Sequence, residues 1–180
     1  MISLAGLDDV QSCTQVQAWS NKMGGEGGKL LADAIKAHAN YDKIAQNMFN
    51  GESKVNMSNK QLDAGDAWIM GAALEKNDTV KEVHASRNLL RADGAKAFAD
   101  VLKVNKTLTE IDLSNNEIGA ELYSWGSVKS ATPEGPAALA EVLKDNSSVT
   151  KVRVPSSSVQ HSFIPSYHIA FAVTHCLYTG

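Results

Sequence analysis

An eleven-residue pattern that recurs along the chain, twice at an interval of 28 residues, constrains this chain more than any other feature of its sequence. In residues 108–118 the pattern places four apolar residues and one asparagine, which are Leu108, Ile111, Leu113, Asn116 and Ile118. The same positions 28 residues earlier hold Val80, Val83, Ala85, Asn88 and Leu90. Looser copies begin at residues 13, 52 and 149. A fixed period of this length is typical of solenoids, in which each repeat is one structural unit that stacks on the next.

The segments between these strand units also repeat, and they have helical spacing. Those that begin at Asp66, Gly94 and Gly135 align with one another, and the one at Gly27 aligns more loosely. Large apolar residues at i and i+4 lie on one face of a helix, and a small residue beside them allows close approach of a neighbouring backbone. Three of the helices should end at an asparagine in the left-handed conformation, namely Asn77, Asn105 and Asn146. We therefore predict five strands that alternate with four helices.

A 28-residue strand–helix unit of this kind resembles the leucine-rich repeats of the ribonuclease-inhibitor-like subclass. The resemblance covers roughly residues 13–159 and is clearest over residues 108–148. The subclass occurs in Nod-like receptors, in the GTPase-activating protein for Ran and in tropomodulin-type actin cappers. The resemblance implies an α/β fold: a right-handed solenoid, shaped as a segment of a horseshoe, with a parallel sheet on the concave side and helices on the convex side.

The repeats divide the chain into parts. We expect an N-terminal cap (1–12), a leucine-rich-repeat domain (13–159) and an irregular C-terminal segment (160–180). Two spacings exceed 28 residues and indicate insertions near residues 41–51 and 122–134. Ile44, Met48 and Phe49 have near-helical spacing, so the first insertion predicts an extra helical turn packed on the core.

Alternate side chains of each predicted strand point out of the sheet, and stacking aligns them in columns. Two columns read Gln15, Lys54, Glu82, Glu110, Lys151 and Gln17, Asn56, His84, Asp112, Arg153, and a third begins at Trp19. We predict that the concave surface binds a protein partner through Glu82, His84, Glu110, Asp112, Lys151 and Arg153. The alternative is a solvated face whose cross-strand ion pairs contribute little to stability.

The second insertion is a further candidate for partner binding. It carries Tyr123 and Trp125. Insertions within repeats form surface loops, and exposed aromatic side chains are typical anchors of interfaces. We predict that both residues contact the partner. The alternative is that Trp125 folds back over the edge of a helix.

The repeat accounts for the residues that at first suggest chemistry. The five histidines and two cysteines have no metal-site spacing, so we predict no metal, no cofactor and no catalytic residue. His84 and Asp112 form the one imidazole–carboxylate pair that the strand register predicts, and we interpret it as structural. The glycine-rich residues 24–28 lack the Lys-Ser/Thr of a phosphate-binding loop and are typical of a repeat turn.

Charge and hydropathy patterning limit the classes of partner. The net charge of −3 gives no electrostatic reason to expect nucleic acid or an anionic membrane as a partner. The N-terminus lacks the features of a signal peptide, and no apolar run approaches the ~20 residues of a membrane span. We therefore expect a cytoplasmic, non-enzymatic protein-interaction scaffold. The alternatives are a GTPase-activating regulator, as resemblance to the Ran activator implies, and a fragment of a larger sensor or cytoskeletal protein.

Overall fold

Four short strands form one parallel sheet, and helices connect them. The computed structural model of the protein describes residues 13–122 and 128–154. In chain order its elements are α1 (Gly24–Ala37), α2 (Tyr41–Asn47), β1 (Lys54–Asn56), α3 (Ala64–Lys76), β2 (Glu82–His84), α4 (Arg91–Val104), β3 (Glu110–Asp112), β4 (Ala120–Leu122), β5 (Val128–Ala131), α5 (Glu134–Leu143) and β6 (Lys151–Arg153). The parallel sheet has the strand order β1-β2-β3-β6, and β4 pairs with β5 in a separate antiparallel hairpin.

The 28-residue period is visible in the strand register. Val55 pairs with Val83, Val83 with Ile111, and Ile111 with Val152. These four central side chains are at most 6% exposed and belong to the core, whereas the residues on either side of them are not buried. Stacking thus joins the apolar side of each strand to that of the next, which one unit could not bury alone. The predicted α/β leucine-rich-repeat solenoid is confirmed.

Behind the sheet, α1 packs against α3, α3 against α4 and α4 against α5, while α2 lies mainly against α3. Leu74, Phe98 and Leu102 are each at most 1% exposed and fill the space between helices and strands. α1 approaches α3 so closely that a Cβ atom on Gly28 would collide with the backbone of Gly65. This crossing therefore requires glycine. Within the described residues, no helix is both long and apolar enough to cross a membrane.

The asparagines that follow the helices do not have the left-handed conformation that we predict from the sequence. φ is −81° at Asn77 and −72° at Asn105, and both residues are extended. The side chain of Asn105 donates to the backbone oxygens of Leu74 and Asn77, and its Oδ1 accepts from the backbone N–H groups of Thr107 and Leu108. The prediction was wrong. It rested on the left-handed backbone conformation that asparagine tolerates, whereas here the asparagine side chain satisfies backbone groups of two successive units.

The first predicted strand unit contains no strand. Residues 13–18 are irregular, and within the described residues β1 is the edge of the sheet. Asn40 Nδ2 donates to the backbone oxygen of Cys13, and Asn47 Nδ2 donates to that of Thr14. Both asparagines lie at the ends of α2. The backbone carbonyl groups that would pair with a neighbouring parallel strand therefore accept hydrogen bonds from side chains at the ends of α2. This helix is not part of the repeat pattern.

Residues 41–51 form α2 and a turn. Ile44 is 1% exposed and Phe49 is 5% exposed, so both belong to the core. Trp19, which the third predicted column places on the concave surface, instead stacks on Phe49 with the ring centres 6.2 Å apart. The described residues thus contain five helices rather than the predicted four, because α2 adds one to the four of the repeat.

Candidate partner-binding surface

The outward side chains of the four parallel strands form one polar surface. We call it the sheet face, and it consists of Lys54, Asn56, Glu82, His84, Glu110, Asp112, Lys151 and Arg153. Successive side chains of a strand alternate between the two sides of a sheet, so the first and third residues of each three-residue strand point away from the buried second one. All six strand residues predicted to bind a partner lie on this surface.

Three cationic side chains surround the two central glutamates of the sheet face. Glu82 and Glu110 are directly opposite each other on adjacent strands, an arrangement in which like charges repel. The Nζ of Lys54 lies 2.8 Å from Oε2 of Glu82. On the other side, Lys151 Nζ and Arg153 Nη1 lie 3.0 and 2.9 Å from Oε1 of Glu110. The cations therefore offset the repulsion between the glutamates.

The third carboxylate of the sheet face, that of Asp112, is held by hydrogen bonds from Ser114, two residues later in the chain. Oδ1 of Asp112 accepts hydrogen bonds from the backbone N–H and the hydroxyl of Ser114, at 3.0 and 2.6 Å. Oδ2 lies 3.6 Å from Nη1 of Arg153. With Asp112 included, three carboxylates balance three cations when His84 is uncharged. The sheet face thus presents an ordered pattern of ion pairs rather than a field of a single sign.

The ion pair with Lys54 affects the titration of Glu82. The hydrogen bond from the Lys54 ammonium lowers the pKa of the Glu82 carboxyl below its ordinary value, and proximity to His84 acts in the same direction. Because the folded pKa is the lower one, the stabilisation from this pair is present above the unfolded pKa and is lost as the pH falls through the folded pKa. Glu82 is exposed to solvent, which keeps that stabilisation small.

His84 turns its Nε2 atom toward the glutamates. Nε2 lies 3.4 Å from Oε2 of Glu82 and 4.0 Å from Oε1 of Glu110. The strand register does place His84 beside Asp112 as predicted. The side chains of His84 and Asp112 nevertheless have other partners than the predicted pair. The Asp112 carboxylate accepts a hydrogen bond from Ser114 and faces Arg153, and the imidazole faces the glutamates.

Glu82, His84 and Glu110 form a cluster that the sequence reasoning missed. One ligand atom from each of the three lies within 4.8 Å of the other two, so together they could hold a metal ion. Histidine spacings along the chain do not reveal the cluster, because its residues come together from two strands. The signal that could have revealed the cluster is the adjacency of the two charged columns, since it places His84 next to both glutamates.

The second predicted binding element lies partly outside the described residues. Tyr123 and Trp125 are among the residues that the structure does not describe. On either side of them, β4 and β5 pair with Ala120 opposite Ala131. The backbone N–H of Thr132 donates to the oxygen of Gly119 at 3.0 Å and closes the base of this hairpin. The base therefore lies between β3 and α5 in the chain and is held by backbone hydrogen bonds.

A groove on the helical side was not predicted. It lies between α4 and α5, has a volume of about 620 Å³ and is also lined by Trp68 of α3. Leu102 and Val142 line its apolar part, and charged side chains of both signs also line it, among them Lys103 and Glu141. The sequence pattern contains no signal for this groove, because its depth depends on the distance between two helices.

Comparisons with known proteins agree with the repeat architecture. The family described as "Leucine Rich repeat" matches residues 104–121, which include β3. A search of the curated proteins finds no match. Among solved structures, the chain is similar to leiomodin-1 actin-binding site 2, with a TM-score of 0.51 and 16% identity over 96% of this chain and 87% of that one. It is also similar to the C-terminal domain of tropomodulin from Caenorhabditis elegans, with a TM-score of 0.52 and 11% identity over 95% of this chain and 87% of that one.

At these identities the likeness to the solved structures shows the fold alone. The family match is independent of it and falls on the unit in which every position of the repeat pattern is filled. The match and the parallel sheet in 28-residue register together show that the chain has a leucine-rich-repeat fold.

Proposed function

We propose that this protein is an interaction scaffold that binds a protein partner through the sheet face, with the β4–β5 hairpin and its loop at the edge of the contact. The observation that carries the proposal is the order of the charged side chains on the sheet face. Lys54 holds Glu82, and Lys151 holds Glu110, each across two adjacent strands. Side chains that are already held in place lose less conformational freedom on binding, which favours affinity.

The charge balance of the sheet face favours recognition by pattern. A neutral surface with alternating ion pairs does not attract partners over long distances, but it rejects those whose charges are out of register. The stacked strands supply the extended surface that solenoids use for binding. The 28-residue spacing between paired strands further supports assignment to the ribonuclease-inhibitor-like subclass. No observation on the described residues favours the GTPase-activating alternative.

Actin is the first partner to test, because one structurally similar protein is described as an actin-binding site. Labelled full-length protein would be titrated with purified actin monomers and followed by fluorescence anisotropy. The test variant, Asp112→Ala with Arg153→Ala, removes both ion pairs of Arg153, those with Glu110 and Asp112, from the sheet face and leaves the net charge unchanged. The matched control, Glu141→Ala with Lys144→Ala, removes an exposed pair from the other side of the molecule. We expect the test variant to bind at least about tenfold more weakly, as truncation of interface anchors does, and the control to bind like the wild type.

The same proteins test the surface if actin does not bind. Each would be used to capture partners from a cell extract, with circular dichroism to confirm that all are folded. A protein retained by the wild type and the control but lost with the test variant supports the sheet face as the binding surface. Equal retention of every captured protein by all three contradicts it. Trp125→Ala in the same assay tests the loop.

A further inference from the structure

Three potential metal ligands meet at the centre of the sheet face. Glu82 and His84 are the two outward residues of β2, and Glu110 lies opposite Glu82 on β3. Because β2 and β3 are adjacent strands of one sheet, their hydrogen bonds fix the backbone positions of all three residues. One ligand atom from each lies within 4.8 Å of the other two.

The Nε2 atom of His84 distinguishes this cluster from an ordinary group of surface ion pairs. It is screened from solvent and has no hydrogen-bond partner among the described residues. A buried polar atom without a partner is uncommon and costs free energy. It faces the carboxylate oxygens of Glu82 and Glu110 at 3.4 and 4.0 Å. A neutral imidazole presents a nitrogen lone pair at such a position, and a cation placed between the three groups would use it.

We propose that Glu82, His84 and Glu110 bind a zinc ion. Zn²⁺ in proteins takes imidazole nitrogen and carboxylate oxygen ligands at about 2.0–2.2 Å. Two such ligands on a tetrahedral ion are about 3.4 Å apart, which matches the separation between His84 and Glu82. Oε1 of Glu110 is 4.0 Å from Nε2, so the Glu110 side chain must move closer to reach the same separation. Three protein ligands leave the fourth position to water, as in open zinc sites.

The three neighbouring cations are competitors of the zinc ion. Lys54 pairs with Glu82, and Lys151 and Arg153 pair with Glu110. Their side chains are 57, 42 and 43% exposed, so each can turn into solvent, and ion pairs of this exposure contribute little. The two carboxylates then balance the charge of Zn²⁺. Removal of a competing lysine should therefore strengthen zinc binding.

The test uses the full chain without any partner, so its outcome is independent of the proposed scaffold function. The chain has four other histidines, and the readout must therefore be specific for His84. ¹⁵N-labelled protein would be titrated with zinc chloride, and the imidazole nitrogens would be observed by long-range ¹H–¹⁵N NMR, with His84 assigned from the His84→Gln spectrum. We expect the Nε2 resonance of His84 to shift with zinc. Magnesium should leave it unchanged, because Mg²⁺ prefers oxygen ligands.

Calorimetry on variants then checks the individual ligands. Glu110→Gln should weaken zinc binding at this site by about tenfold or more, since loss of even an indirect contact to a metal site costs that much. Lys54→Met should strengthen zinc binding, because it removes a cation that competes with zinc for Glu82. If His84 were only structural, this variant would not affect zinc binding. His38→Gln, a histidine away from the sheet face, is the matched control and should bind like the wild type.

Two results would overturn the proposal. The first is an unchanged Nε2 resonance of His84 in the wild-type chain at saturating zinc. The second is an equal response to zinc and magnesium, because that indicates screening of the glutamates rather than coordination by the imidazole.

Discussion

Buried asparagines join successive units of the solenoid. Asn77, Asn88, Asn105 and Asn116 are each at most 5% exposed. Nδ2 of Asn88 donates to the backbone oxygen of Met57, and Nδ2 of Asn116 donates to that of Ala85, both in the preceding unit. An asparagine amide donates and accepts at the same time. It therefore satisfies backbone groups at turns where neither a helix nor a sheet provides a partner.

Replacement of Asn105 by alanine should destabilise the whole fold. The change removes two hydrogen bonds donated by Nδ2 and two accepted by Oδ1, and it leaves buried backbone groups without partners. We expect a loss of about 3 kcal/mol in the free energy of unfolding, since each buried unsatisfied group costs roughly 1–3 kcal/mol. Urea unfolding followed by circular dichroism measures it. Asn56→Ala, at an exposed strand position, is the control and should cost under about 1 kcal/mol because it loses one local hydrogen bond. Equal losses in both variants would contradict the role assigned to Asn105.

The helices differ in how their first turns are satisfied. α3 begins with a capping box: Oδ1 of Asp63 accepts from the N–H groups of Gly65 and Asp66, and the Asp66 side chain accepts from the N–H of Asp63. Oδ2 of Asp63 also accepts from the N–H of Gly24 at the start of α1. α4 has no side-chain cap. One carboxylate therefore serves the N-termini of two helices, and the box needs only local sequence to form.

Asp63→Ala should cost more than loss of a comparable carboxylate in the first turn of α4. We expect about 2 kcal/mol, the upper end of the range for cap removal, because the N–H of Gly24 loses its partner as well. Asp93→Ala is the matched control. Asp93 is exposed and pairs with Lys96, so its removal should cost under about 1 kcal/mol. Thermal unfolding of both variants measures the difference, and a smaller effect at Asp63 than at Asp93 would show that the cap contributes little.

At the scale of the whole molecule, the helices of adjacent units pack most extensively on one another: α1 on α3, α3 on α4 and α4 on α5. Such a chain has a stability that is the sum of its units and of the contacts between adjacent ones. The crossing of α1 and α3 at Gly28 and Gly65 is one of the contacts that join the first helix to the rest, together with the ion pair of Lys36 and Glu75. Damage at this crossing should therefore remain at one end of the solenoid.

Gly28→Val tests this locality. A side chain at position 28 would collide with the backbone of Gly65, so α1 should move away from α3. We expect amide hydrogen exchange to accelerate in residues 24–47 and to remain slow in β2 and β3, since stability is local in repeat proteins. Gly27→Ala is the control, because a Cβ there would meet only the Cβ of Met23, at 3.4 Å. Faster exchange along the entire chain would instead indicate one cooperative unit.

The four strands of the parallel sheet and the sheet face could be predicted residue by residue, whereas the contacts within the sheet face could not. A 28-residue spacing places Glu82 opposite Glu110, and the alternation along a strand turns both outward. The orientation of the His84 ring toward these glutamates depends on a side-chain rotamer, which the period does not specify. Trp19 lies against Phe49 for a similar reason, since the position of α2 decides which surface covers it.

By itself, the sequence determined the solenoid and the side chains that share the sheet face, because a fixed period forces equivalent residues into register. The tertiary structure alone decided three further features: the missing first strand, the extended conformation of Asn77 and Asn105, and the orientation of His84 toward Glu82 and Glu110. Each depends on backbone groups left unpaired at irregular turns or on rotamers chosen by packing. Unpaired backbone groups and rotamers leave no periodic signal in the sequence, so these features emerge only when the units are stacked.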